Sequence, residues 1–446
     1  MQNSTSPVAA DLVIEARWII PVEPAGVVLE SHAVAVSDGK ILAVLPRDEI
    51  RRHYRPAEVC SLDSHALIPG LVNLHSHAAM TLMRGLADDL PLMTWLNDHI
   101  WPAEASHVSA DFVRAGTGLA IAEMLRGGVT CMNDMYFFPE AAAQAALALG
   151  IRASLGIITI DFPTAYASDA DDYLAKGLAV RDAMRHESRL SFCLAPHAPY
   201  TVSDAAFAKI AGFAEELDLP VHVHLHETAE EIRGSIEAHG VRPLARLERL
   251  GLIGPQTIAV HAVHLDAGEI ALLARNGASV AHCPTSNLKL ASGIAPVAAM
   301  LDAGINIGLG TDGAASNNRL DMFAEMRLAA LLAKGASGRA DVLPAAAALR
   351  CATLNGARAL GLDGLIGSIV PGKAADLAAV SFGRIEMQPV YDPVSHLVYV
   401  ASRDDVSDVW VAGERVVNAQ HISRNGSADF ESSARMWQNR LRAAKT

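Results

Sequence analysis

The spacing of apolar positions changes along the chain, and the changes mark two kinds of segment. Residues 11–19 alternate in part, residues 33–36 and 41–45 are short apolar runs, and Ser37-Asp38-Gly39-Lys40 lies between the two runs. A strand, an Asp-Gly turn and a second strand predict a hairpin. The same signals return at 376–380, 406–411 and 415–417, with Ala412-Gly413-Glu414 as the turn. The two β-rich ends, residues 1–68 and 366–427, are expected to pair into one small composite β-sandwich.

The middle, residues 69–365, alternates short apolar runs with helical spacing. Behind a Ser203 N-cap, the apolar residues Phe207, Ile210, Ala211, Phe213, Ala214 and Leu217 recur at helical intervals, and Pro220 is the stop signal. Residues 221–226 then read as a strand. Strand-like runs follow at 257–263, 279–283 and 305–310, with helical patterns between them. Repeated βα units imply a parallel sheet. Their number suits an α/β fold of the (β/α)8 barrel type better than an open sheet. Residues 428–446 are expected to form a helical tail.

Composition narrows the class without naming a function. Of 446 residues, 51% are hydrophobic and 19% charged, which excludes a disordered chain. The net charge of −13 and the lack of clustered Lys/Arg argue against nucleic acid and anionic membrane as partners. Uncharged runs fall short of the roughly 18 residues of a membrane span. The N-terminus lacks a basic-then-apolar signal pattern. The five scattered cysteines never form C-x-x-C, so reduced thiols and a cytoplasmic location are expected.

Candidate chemistry gathers at four strand ends. In His75-Ser76-His77, positions i and i+2 face the same way, so both imidazoles should enter the barrel mouth. In Val221-His222-Val223-His224-Leu225-His226-Glu227 three histidines alternate with aliphatics, and all three are expected to face inward. His222 and His226 read as satisfied core histidines, and His224 with Glu227 as the functional pair. His261 ends a third apolar run, and Asp312 follows a fourth inside Gly310-Thr311-Asp312-Gly313. Alone, Asp312 would read as an Asx turn or a helix cap. Together, the histidines and the acid make a nitrogen and oxygen donor set suited to Zn2+ or Fe2+.

These motifs resemble the amidohydrolase superfamily and, within it, the group of 5'-methylthioadenosine/S-adenosylhomocysteine deaminases. The resemblance runs from Pro69-Gly70-Leu71-Val72-Asn73-Leu74-His75-Ser76-His77 to Pro371-Gly372-Lys373-Ala374-Ala375-Asp376-Leu377. Between them stand Trp95-Leu96-Asn97-Asp98-His99-Ile100-Trp101-Pro102-Ala103-Glu104, Ala195-Pro196-His197-Ala198-Pro199-Tyr200, His282-Cys283-Pro284-Thr285-Ser286-Asn287 and Gly310-Thr311-Asp312-Gly313-Ala314-Ala315-Ser316-Asn317-Asn318.

The resemblance implies a (β/α)8 barrel with a β-sandwich from both chain ends. It implies one divalent metal, usually zinc, on His75, His77, His224 and Asp312. Glu227 and His261 would handle protons, with Asp312 helping to steer the attacking water. Glu104 would contact the ribose hydroxyls, and His197 and Glu227 the nucleoside. Trp95, close to Glu104 in the sequence, reads equally as a ring lining the nucleoside pocket and as a hydrophobic anchor of a long loop. Trp95 and Trp101 are expected on a loop after the first barrel strand. The implied reaction is hydrolytic deamination of an adenine nucleoside to an inosine-type product and ammonia. The implied partner is a small purine nucleoside, and the chain is expected to be a homo-oligomer.

Two details refine this expectation. Relatives that bridge two metals use a carboxylated lysine on the fourth strand, but the lysines between His77 and His224 are Lys176 and Lys209, both in helical-looking stretches. A single metal, and so deaminase chemistry, is favoured. Some relatives grip a homocysteine carboxylate with arginines between the third and fourth strands. Here that stretch reads Ile157-Ile158-Thr159-Ile160-Asp161-Phe162-Pro163-Thr164, and Arg152 reads as part of the preceding turn. Uncharged 5'-tails, as in methylthioadenosine or adenosine, fit this better than S-adenosylhomocysteine. The rivals are a guanine, cytosine or triazine aminohydrolase, separated by the ribose-binding Glu104, and a non-catalytic binding protein, which would usually have lost donors.

Overall fold

The computed structural model describes residues 7–424 and 430–443. Eight parallel strands stand side by side in chain order: Leu71–Ser76, Val129–Asp134, Arg152–Thr159, Leu190–Pro196, Val221–Leu225, Thr257–His261, Ser279–His282 and Asn306–Leu309. Helices lie between them in sequence. The strands are almost wholly buried on both faces. That is why they read as continuous apolar runs interrupted only where a polar group faces inward.

The last strand meets the first through their C-terminal ends. The Thr311 N–H donates to Asn73 Oδ1 at 2.9 Å, and the Asp312 N–H donates to His75 O at 3.0 Å. Two glycines make this approach possible. A Cβ at Gly308 would lie 2.6 Å from Leu74 Cδ2, and one at Gly310 would lie 2.8 Å from the His75 backbone nitrogen. The Gly-Leu-Gly run before Thr311 is therefore a packing requirement of the closed ring as well as turn chemistry.

Both chain ends meet in a second sheet. Its order is His421–Ile422, Glu414–Asn418, Val406–Val411, Leu377–Ser381, Tyr54–Pro69, Val8–Ile19, Leu29–Ser37 and Lys40–Pro46. The last two strands are the expected hairpin, with Asp38 and Gly39 both at positive φ, 49° and 72°. Ile14, Val34, Leu67, Leu377 and Trp410 share one core in this sheet. A buried ion pair ties it to the barrel: Arg152 Nε donates to Asp376 Oδ2 at 2.7 Å. Arg152 is thus the first residue of the third barrel strand, not part of the turn before it.

Three further boundaries differ from the expectation or complete it. The helix capped by Ser203 ends at Leu217, because Asp218 turns left-handed before Pro220 is reached. The stretch holding Trp95 and Trp101 is helical throughout, as Leu92–Trp95, Leu96–Ile100 and Trp101–His107. The expected tail contains the helix Phe430–Ala443, whose Trp437 meets Phe112 edge-on at 5.1 Å; residues 425–429 and 444–446 lie outside the described residues. No helix among the described residues is long and apolar enough to cross a membrane.

Candidate active site

The C-terminal ends of the strands bring four histidines and one aspartate to a common point. His75 Nε2 and His77 Nε2 each lie 3.2 Å from Asp312 Oδ1. His224 Nε2 lies 3.3 Å from His75 Nε2. The ring nitrogens of His75, His224 and His261 form one compact group, and those of His75 and His77 with the Asp312 carboxylate form another. His261, one of the strand-end donors and by resemblance a proton carrier, stands inside this donor cluster.

The far side of each ring sets its tautomer. His77 Nδ1 donates to Met135 O at 2.6 Å, and His224 Nδ1 donates to His197 O at 2.7 Å. A carbonyl oxygen can only accept, so each ring carries its proton on Nδ1 and turns the Nε2 lone pair inward. His261 Nδ1 is held likewise by Asn287 Oδ1 at 2.8 Å, and His75 Nδ1 faces His222 Nε2 at 3.0 Å. Several lone pairs and a carboxylate oxygen converging in a buried space favour a cation between them. The donor set fits a divalent metal ion.

Asp312 is oriented from both sides. It adopts φ +60° at the end of the eighth strand. Its Oδ2 accepts hydroxyls from Ser286 at 2.6 Å and Ser316 at 2.7 Å, which leaves Oδ1 for the cluster. Burial opposes its ionisation, but the bonds and charges of His75 and His77 outweigh burial and hold the carboxyl well below the usual range.

Glu227 follows the fifth strand. His226 turns left-handed at φ +56°, and Glu227 then points into the cavity, with Oε2 3.8 Å from His261 Nε2. Burial pushes its carboxyl above the ordinary value, only partly offset by His261. The same turn corrects one expectation. The His226 ring does not enter the cavity but accepts the Leu244 N–H at Nε2, 3.0 Å away, and donates to His264 O at 3.2 Å. The alternation of His222, His224 and His226 ends where the strand ends.

The remaining expected residues line the same cavity. Glu104 Oε1 accepts the Tyr136 hydroxyl at 2.7 Å, and burial, partly offset by Tyr136 and His77, pushes its carboxyl up to about 7. His197 follows the fourth strand. Its Nδ1 meets Thr201 Oγ1 at 2.9 Å, and that hydroxyl's proton goes to Ala198 O. His197 must therefore donate from Nδ1 and offer Nε2 as an acceptor. Trp95 and Leu92, with Ile160, Phe162 and Pro163, form apolar walls. Lys176 and Lys209 lie on outer helices, paired with Asp172 and Asp171.

The comparisons with known proteins agree with this geometry. A model described as the amidohydrolase family matches residues 66–416. The chain belongs to the amidohydrolase family. A relative from Teredinibacter turnerae, named 5-methylthioadenosine/S-adenosylhomocysteine deaminase, is 47% identical over all of both chains. One of the same name from Saccharophagus degradans is 47% identical over 99% of both. The crystal structure of an adenosine deaminase from Xanthomonas campestris with bound zinc superimposes with a TM-score of 0.97. It is 51% identical over 98% of this chain and 100% of that one.

Several residues of this amidohydrolase site escaped the sequence. Ser286, Asn287 and Ser316 sit inside motifs already singled out, but nothing in their spacing says that they hold Asp312 and His261. Tyr136 and Asp134 come from the second strand and its loop. Asp134 accepts the Ala78 N–H at 2.7 Å and the Ser76 hydroxyl at 3.2 Å, fixing the turn that carries His77.

Proposed function

We propose that this amidohydrolase is a hydrolytic deaminase of adenine nucleosides, with 5'-methylthioadenosine and adenosine as its preferred substrates. The observation that carries this reading is a pairing across one cavity. Glu227 stands beside the histidine and aspartate cluster, and Glu104 stands on the wall of the same space with a side chain suited to accept ribose hydroxyls. The deaminase names of the relatives support the substrate class.

His75, His77, His224 and Asp312 would hold one divalent cation, zinc in the first instance, with His261 adjoining it. Such a cation brings the pKa of a bound water into the neutral range. The chain's own groups do the rest. Glu227 takes a proton from the attacking water and delivers it to N1 of the ring. Protonation at N1 makes C6 electrophilic. The water oxygen adds at C6, with the inward-facing Nε2 of His261, 3.8 Å from Glu227 Oε2, placed to accept a hydrogen bond from the water and steer it. Glu227 then carries the proton of the C6 hydroxyl to the amino nitrogen, the C6–N bond breaks to release ammonia, and C6 becomes a carbonyl.

The tail of the substrate meets apolar surface. Ile160, Phe162, Pro163 and Ala165 line the cavity, while Arg152 lies at the opposite end of its strand, bound to Asp376. This supports uncharged 5'-tails over a homocysteine carboxylate. The decisive experiment is ammonia release from 5'-methylthioadenosine, adenosine, S-adenosylhomocysteine, guanine and cytosine. Turnover is expected with the first two. Turnover confined to guanine or cytosine would overturn the reading.

A further inference from the structure

The turn that presents Glu227 is held by a second carboxylate. The fifth strand stops at Leu225, and His226 takes a left-handed conformation, uncommon for a residue other than glycine though histidine adopts it more readily than most. The chain then enters the helix Ala229–His239 behind Thr228, whose hydroxyl oxygen accepts the Glu231 N–H at 3.2 Å. The Glu231 side chain reaches back over this turn. Oε1 accepts the His226 N–H at 2.9 Å, and Oε2 accepts the Glu227 N–H at 2.7 Å.

One carboxylate thus holds two consecutive backbone donors at the point where the ladder is broken. Glu231 is buried, which pushes its carboxyl up to about 8, while the His226 and Glu227 N–H groups and its place in the first turn of a helix favour the charged form that can accept both bonds. An unmatched buried N–H is costly, and a carboxylate is the side chain that can accept on both oxygens at once. A glutamine would accept on one and turn its NH2 toward the other donor. Glu231 does not line the cavity assigned to the nucleoside.

We propose that Glu231 is a positioning residue: its grip on the His226 and Glu227 N–H groups aims the Glu227 carboxylate at the reacting ring. This rests on the deaminase reading above. It acts chiefly on the rate, through Glu227, and makes no contact of its own with the nucleoside cavity.

The test is a double-mutant cycle on the metal-loaded enzyme, following ammonia release from 5'-methylthioadenosine, with metal content and thermal unfolding measured in parallel. Glu231→Gln is expected to lower kcat at least about tenfold, as small misplacements of a catalytic group do. KM should stay within about twofold and metal content should be unchanged. Adding Glu231→Gln to Glu227→Gln should cost nothing further, because the group being aimed is already gone. Independent, multiplying losses would overturn the proposal, as would full-speed Glu231→Gln beside a slow Glu227→Gln. A full-speed Glu227→Gln would overturn the role of Glu227 as well. Should Glu231→Gln not fold, Glu231→Asp keeps both acceptor oxygens at a shorter reach and enters the same cycle.

Discussion

His222 Nε2 lies 3.0 Å from His75 Nδ1, with both rings sealed from solvent beneath the cavity. The bond lets His75 keep its proton on Nδ1 and turn Nε2 toward Asp312. Removing the acceptor frees the ring to rotate or change tautomer. His222→Ala is expected to weaken metal affinity by about 10- to 100-fold, the usual cost of losing a group that orients a ligand. Dialysis against graded chelator with metal analysis measures it. Affinity equal to the wild type would refute the role.

Replacing Glu227 by glutamine removes the proposed proton carrier and keeps the shape. Glu227→Gln should retain its metal and lose at least about 100-fold in kcat. Steady-state ammonia release alongside metal content checks both halves, and near-normal turnover would contradict the assignment.

The pH dependence follows from the same residue. Glu227 works as a base only when ionised, and burial raises its pKa in the folded enzyme. kcat/KM should therefore fall as pH drops, with a midpoint above the ordinary glutamate value of about 4.3. A midpoint at or below that value would show that another group controls the acid limb.

Glu104 makes a separate prediction about binding. Its carboxyl stands at about 7, so it loses acceptor capacity for ribose hydroxyls as pH falls through that value. Nucleoside KM should rise on that side, and Glu104→Ala should raise it at every pH. Tyr136→Phe removes a hydrogen bond that lowers the Glu104 pKa, so the rise should begin at higher pH. Unchanged KM in Glu104→Ala would remove the ribose contact.

The ion pair between barrel and end sheet is a matter of stability. Asp376 Oδ1 also accepts the Ala412 N–H at 2.8 Å, so Arg152→Ala leaves a buried, hydrogen-bonded carboxylate without its cation. The cost is expected at roughly 3–5 kcal/mol. Denaturant unfolding measures it, and a loss under about 1 kcal/mol, typical of a surface pair, would show that the pair is poorly desolvated.

Local spacing along the chain sets the period of each segment and marks the polar residues at the strand ends. Strand spacing of two puts His75 and His77, or His222 and His224, on one face whatever surrounds them, and a glycine-rich turn after a strand can be seen in the letters around Asp312. The barrel was legible only as a count of βα units, and the close approach at Gly308 and Gly310 came with the structure. Tertiary structure decided everything that depends on a second element. A left-handed His226 took its ring out of the alternation, and no local pattern announces such a turn. The register of strands one and eight put two histidines on one oxygen of Asp312, and loops seven and eight gave Ser286 and Ser316 to the other. Tyr136 reached Glu104 from a different strand, and Arg152 found Asp376 at the opposite end of the barrel. Periodicity is a property of one element's backbone, whereas hydrogen-bond partners and desolvation arise only where several elements converge, and that convergence sets the tautomers and charges of the site.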